Sequence, residues 1–368
     1  MKKFRVLIKV LATSIIASIM MCTVSCADTT WAVKTGEYTV PAGVYLGYLT
    51  DAYYTASYSV TDQNKDLFDQ KIGDKKAADY IKDTAMDSVE KFLTVEKLFD
   101  EYKLSFTKDE TKVFEATLEN YWASLSALYE ENGCGKESYR KILLNNEKTN
   151  KIFEYYYSKD GKEPVSEKDR KEFFTKNYAK IQYIDVKYSA HFKGVTTEST
   201  ATAEQKDELK KFAEGYITRL NKGEKIEDLI KAEAKFVDGE VKEEEKEEEH
   251  THEEGEEHNH EEEETKNEPT FVTKDTSDKP DEINAAFFKA KFNTPTLIKN
   301  GTSGYYVFVR YKMDENGKDY TDRASSVLSN MKSEDFEKVM DKAIEKISFS
   351  VNKSAIRRFK PQNVIINF

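Results

Sequence analysis

Cysteine is scarce in this chain of 368 residues, which holds only Cys22, Cys26 and Cys134. Two of the three lie in or beside an N-terminal leader, so no disulfide framework is available and the fold must rest on its core. Long apolar runs are absent after the leader, which excludes a chain threaded through a bilayer by later helices. A basic surface is lacking too. The formal net charge is −11. That excess is local, because residues 243–264 hold 14 Glu and one Lys. Setting aside this tract and the cationic leader leaves the remainder near neutrality, with no electrostatic footprint for nucleic acid. Histidine is rare as well, and four of the five lie between positions 250 and 260.

The leader is the most explicit segment. Lys2, Lys3, Arg5 and Lys9 precede an apolar run from Val10 to Met21. A positive start and an apolar stretch too short to span a membrane mark a secretory signal. The run ends in Thr23-Val24-Ser25-Cys26, which resembles a bacterial lipobox with Thr23 where Leu is usual. The resemblance implies cleavage after residue 25 and acylation of Cys26, which would anchor the chain to the outer face of the cytoplasmic membrane.

The pattern then becomes mainly helical. Val33-Lys34-Thr35-Gly36-Glu37-Tyr38-Thr39 reads as a strand, a turn at Gly36 and a second extended piece. Three amphipathic helices follow. The first presents Ile81, Ala85, Val89, Phe92 and Phe99 on one face. The second opens with the capping box Thr107-Lys108-Asp109-Glu110, carries Phe114, Leu118 and Tyr121, and stops at Gly133-Cys134-Gly135. The third carries Tyr139, Ile142, Ile152 and Tyr156. Ser158 to Pro164 is a linker and a domain boundary. Beyond it Ser166 caps a short helix, and Ile181 to Tyr188 reads as a strand rich in β-branched and aromatic residues. Thr202 opens a helix carrying Leu209, Ala213 and Tyr216, and Ile226, Leu229 and Ile230 mark a shorter one. After the acidic tract come a helix around Ile283 to Phe288 and strands at Thr296–Lys299 and Tyr305–Tyr311. A long helix starts near Asp322, and the chain closes with the basic turn Arg357-Arg358-Phe359-Lys360-Pro361.

This order, with Ser166 to Tyr188, Glu204 to Ala234 and the closing Ser303-Gly304-Tyr305-Tyr306-Val307-Phe308-Val309, resembles the SurA/PrsA group of extracytoplasmic chaperones. The resemblance implies an α+β, mainly α fold. A helical chaperone domain (residues 26–163 with 319–368) would carry an inserted parvulin-like β-α-α-β-β domain (164–318), interrupted by a Glu/His insertion at 240–268. It also implies unfolded exported polypeptides as partners. Active members place one His in the first strand and another after the Gly-Tyr of the last. Here Tyr306 stands at the second position, and Tyr183 or Tyr188 at the first, depending on register. His191 lies just beyond that strand and would take the role only after a shift of several residues. The expectation is a degenerate isomerase site used for binding, with no required cofactor. An active prolyl isomerase is the alternative.

A different class of function comes from His250, His252, His258 and His260. Two His-x-His pairs among carboxylates suit weak capture of Zn²⁺. Such low-complexity composition cannot bury a core.

Overall fold

Helices begin where the sequence satisfies their free amides. Thr107 Oγ1 accepts from the Glu110 amide at 3.2 Å while the Glu110 carboxylate accepts from the Thr107 amide at 2.8 Å. Thr202 and Gln205 make the same reciprocal pair at 3.2 and 2.9 Å. Ser166 caps the helix after the linker through the Asp169 amide, at 3.1 Å. The computed structural model describes residues 30–237, 240–241, 268–274 and 279–366. Cys26 with its leader and the four histidines of the acidic tract lie outside the described residues.

The chain divides into two units, Met1–Val165 with Lys332–Phe368, and Ser166–Met331. Each is α+β, and helices dominate the whole. The first unit starts with β1 (Trp31–Thr35) and β2 (Tyr38–Pro41), which turn at Gly36 with φ of 53°. The C-terminal strand Ser350–Val351 adds antiparallel to the free side of β1. Four helices follow, α1 (Ala42–Ser59), α2 (Ala77–Glu101), α3 (Lys108–Glu131) and α4 (Lys136–Tyr157). Tyr45, Leu49 and Ala52 of α1 meet Ile81, Val89 and Leu93 of α2 and Ile142 of α4 in one buried core. Each large apolar side chain sealed there contributes about 1.5–3 kcal/mol. A Cβ on Gly47 would lie 2.5 Å from Ile142 Cδ1, so α1 and α4 approach as closely as glycine permits. The long C-terminal helix Ala324–Ile344 contributes residues to both units, and its Phe336 meets Phe153 edge-on at 5.3 Å in the first.

In the second unit α5 (Glu167–Asn177) leads into β3 (Tyr178–Lys187), followed by α6 (Ala203–Asn221) and α7 (Ile226–Glu233). Then come β4 (Thr270–Thr273), α8 (Asp281–Lys289), β5 (Thr296–Asn300) and β6 (Gly304–Tyr311). The sheet order is β4-β3-β6-β5, antiparallel throughout. One face, with Ile184, Val186 and Val307, packs on Leu209 and Ala213 of α6 and Leu229 of α7. The other, with Ala179, Ile181 and Phe308, packs on Ile283 and Phe287 of α8. Both faces are covered, so apolar residues of β3 point to either side, Ile184 and Val186 to one and Ala179 and Ile181 to the other.

Two expectations shift. The strand expected over 181–188 runs instead over 178–187, and Tyr188 opens a four-residue helical turn, Tyr188–His191. Residues 319–331, expected with the C-terminal helix, group with the inserted unit. There Tyr320 and Val327 pack on Phe174 and Tyr178. No helix among the described residues is long and apolar enough to cross a membrane.

Candidate functional site

Antiparallel register decides which side chains meet on the inserted sheet. Tyr306 of β6 faces Asp185 of β3, and Phe308 faces Tyr183. Residues directly opposite share a face, so Tyr183, Asp185, Tyr306 and Phe308 line the side that α8 covers. The Tyr183 and Tyr306 rings contact edge-on, centroids 4.9 Å apart. Phe287 stacks on Tyr183 at 6.5 Å. The Lys279 ammonium lies 5.4 Å from the Tyr183 ring and 5.5 Å from the Tyr306 ring. Asn300 donates to Asp185 at 3.0 Å, and Lys187 pairs with the other carboxylate oxygen at 3.1 Å. Burial, with the Asp185 charge, raises the Tyr306 hydroxyl above its ordinary value, against a lowering by Lys279. A phenol so placed stays protonated near neutrality. It can donate or accept a hydrogen bond but is poorly matched to general-base work there.

Tyr188 and His191 are elsewhere. Both lie on the opposite side of the sheet, with α6 and α7. The Tyr188 ring is buried, and its hydroxyl has no hydrogen-bond partner among the described residues. His191 Nε2 lies 2.8 Å from Glu233 Oε1, and the Tyr216 hydroxyl donates to Glu233 Oε2 at 2.7 Å. Phe236 stacks on the imidazole at 4.2 Å and Phe212 closes its edge at 4.4 Å. The imidazole side chain is 5% exposed. This is a sealed, hydrogen-bonded histidine, not one open to a bound chain. The four positions singled out from sequence therefore split into two pairs, Tyr183 with Tyr306 and Tyr188 with His191. Asp185 was legible from the two-residue period of β3. Lys279 and Glu233 were not, because loop placement and helix packing bring them in.

The helical unit offers a different surface. Between α3 and α4 lies a groove of about 340 Å³ lined by Phe106, Val113, Phe114, Thr117 and Asn150 together with four carboxylates and Lys151. Glu110, in its lining, pairs with Lys151. That lysine, with the Thr107 amide, holds the Glu110 carboxyl down at about 2. Only Phe114, Leu118 and Tyr129 of α3 are buried, while Val113 is 66% and Tyr121 49% exposed. Among the described residues no group of three or more His, Cys, Asp or Glu is placed to hold a metal.

No protein-family model matches the chain, and no curated protein does. Solved structures do. The foldase protein PrsA from Streptococcus pneumoniae aligns over 76% of this chain and 89% of its own, at 13% identity and a TM-score of 0.38. The PrsA foldase from Lactococcus lactis aligns over 91% and 100%, at 13% and 0.34. PrsA from Bacillus subtilis aligns over 72% and 83%, at 20% and 0.29. These are structures to which the chain is similar. Likeness at this level assigns no activity, which is left to the chain's own residues.

Proposed function

We propose that the chain is an extracytoplasmic foldase-like chaperone that holds unfolded exported polypeptides, is tethered by a lipid on Cys26, and has no working isomerase centre. The observation that carries this reading is the groove between α3 and α4, where Val113 stands 66% exposed beside Phe106 and Phe114. A 24-residue helix with three buried side chains leaves Val113 and Tyr121 open for a chain segment of unfixed sequence to cover. Mixed apolar and charged lining suits loose holding rather than one fitted ligand. Tyr306, where the resemblance implies an imidazole, supplies, with the adjoining Tyr183 ring, shape and a phenol hydroxyl.

The test is suppression of aggregation of a chemically unfolded client by the mature chain. Val113→Asp should weaken holding by about fivefold or more, the scale of an interface anchor, with unchanged melting because the position is exposed. Equal holding by the variant sinks the reading. A proline-limited refolding assay addresses the site on the inserted sheet. Acceleration of the slow phase that vanishes on His191→Ala would replace this reading with an active isomerase. Mass spectrometry of the mature N-terminus should find Cys26 acylated.

A further inference from the structure

The two ends of the described chain are stitched together. The Asn352 amide donates to the Ala32 carbonyl at 2.8 Å, and its side chain donates to the Trp31 carbonyl at 3.0 Å. The same side chain caps the short helix Lys353–Ile356 by accepting from the Ala355 amide at 3.2 Å. Phe359 fixes the following turn on the core, 6.1 Å from Tyr45. Asn132 holds the tail beyond it, exchanging two hydrogen bonds of 2.8 Å with the Ile365 backbone.

On this fixed segment stand Lys353, Arg357, Arg358 and Lys360, all exposed. No Asp or Glu occurs between Ser348 and Phe368. Arg357 and Lys360 share a groove of about 650 Å³ with Phe359 and with Lys82 of α2, and no acidic side chain lines it. Among the described residues none of these five cations is held in an ion pair. A concentrated, uncompensated positive patch in a chain of net charge −11 asks for an anionic partner.

Its position says which. Trp31 is five residues from Cys26, so an extended tether reaches at most about 18 Å. We propose that the groove carrying Lys82, Arg357 and Lys360, with Lys353 and Arg358 exposed on the same segment, docks on anionic phospholipid headgroups. The anchored unit would then stand in one orientation on the leaflet instead of swinging from its lipid. Its placement beside the membrane rests on the Cys26 reading, but its chemistry does not. A negatively charged leaflet attracts basic residues held at its surface, and a basic patch is the usual second signal beside a lipid chain.

The experiment uses the mature chain, residues 26–368, with Cys26→Ser so that no lipid contributes. It should co-sediment with vesicles rich in phosphatidylglycerol and not with pure phosphatidylcholine, and raised salt should release it. Arg357→Glu/Arg358→Glu should lower the partition by about 20-fold or more. Arg357→Lys/Arg358→Lys should retain it. Lys210→Glu/Lys211→Glu, the same charge change in the other unit, should leave it nearly intact. No sedimentation of the parent chain, or equal loss in both charge-reversed variants, overturns the proposal. Release by millimolar inorganic phosphate at constant ionic strength also overturns it, in favour of a soluble anion. If Cys26 proves unacylated while vesicle binding persists, only the tether reading falls.

Discussion

The two units handle apolar surface in opposite ways. In the inserted unit α6 and α7 cover one face of the sheet and α8 the other, and even its single described histidine is sealed behind Phe236 and Phe212. In the helical unit α3 buries three side chains in 24 residues and leaves Val113 and Tyr121 open. The inserted unit therefore has a tyrosine pair of defined geometry, whereas the helical unit has contact area. Holding a chain of unfixed sequence needs area more than geometry. On the proposed reading the work of binding falls to the helical unit, and the stability of the inserted sheet can be altered separately.

The sharpest way to break this contrast is Gly304→Ala. Gly304 has φ of 154°, and a Cβ there would sit 2.0 Å from the Val186 carbonyl oxygen, a backbone atom that cannot step aside. The expected cost is about 3 kcal/mol or more, confined to the inserted unit. Both tryptophans, Trp31 and Trp122, belong to the helical unit. Their emission in a urea titration should therefore keep its midpoint while circular dichroism shows an earlier loss. Client holding at low urea should survive. A tryptophan transition that moves with the rest would show that the two units do not unfold separately.

The next effect is smaller. Glu233 is 8% exposed and satisfies both His191 and Tyr216. Glu233→Leu leaves both partners without an acceptor and should cost about 2–3 kcal/mol. Tyr216→Phe removes one hydroxyl and should cost about 1 kcal/mol. In a double-mutant cycle the two losses should be strongly non-additive. Additive losses would mean that the carboxylate is solvated and that the imidazole is open to solvent, which would restore His191 as a chemical candidate.

Legibility in the sequence followed the range of the interaction that decides each feature. The capping boxes at Thr107 and Thr202 are settled within four residues, and both helices start where those residues put them. The stripe Ile81, Val89, Phe92 is settled by helical period and lies in the core. The end of β3 is not local. The Tyr188 amide is taken by the Ser303 carbonyl at 2.9 Å, and Gly304 permits the close approach that ends the strand one residue early. The tyrosine register, left open between positions 183 and 188, depends on pairing with β6 at a separation no periodicity records. Lys279 reaches the pair from the loop just before α8, and nothing in its own neighbourhood marks it.

The smallest effect concerns the helical unit and carries a definite sign. Asp51 of α1 accepts from the Tyr129 hydroxyl at 2.6 Å. Burial raises the Asp51 carboxyl above its ordinary value, and the Tyr129 hydrogen bond only partly opposes this. The folded chain thus holds this proton more tightly than the unfolded chain. The resulting stability is fully present below the unfolded value of about 3.9 and is lost as pH rises through the folded value. Above the folded value the ionised carboxylate is a burden that α1 carries. Asp51→Asn keeps an oxygen for Tyr129 and removes the charge, so it should raise the melting temperature slightly at pH 7. It should also flatten the fall in tryptophan-detected stability as pH rises through the folded value. The same substitution leaves the groove between α3 and α4 untouched, so client holding should not change. A variant less stable than the parent at pH 7 would mean that the Asp51 charge is itself stabilising, and the reading of Asp51 as a buried carboxyl would be wrong.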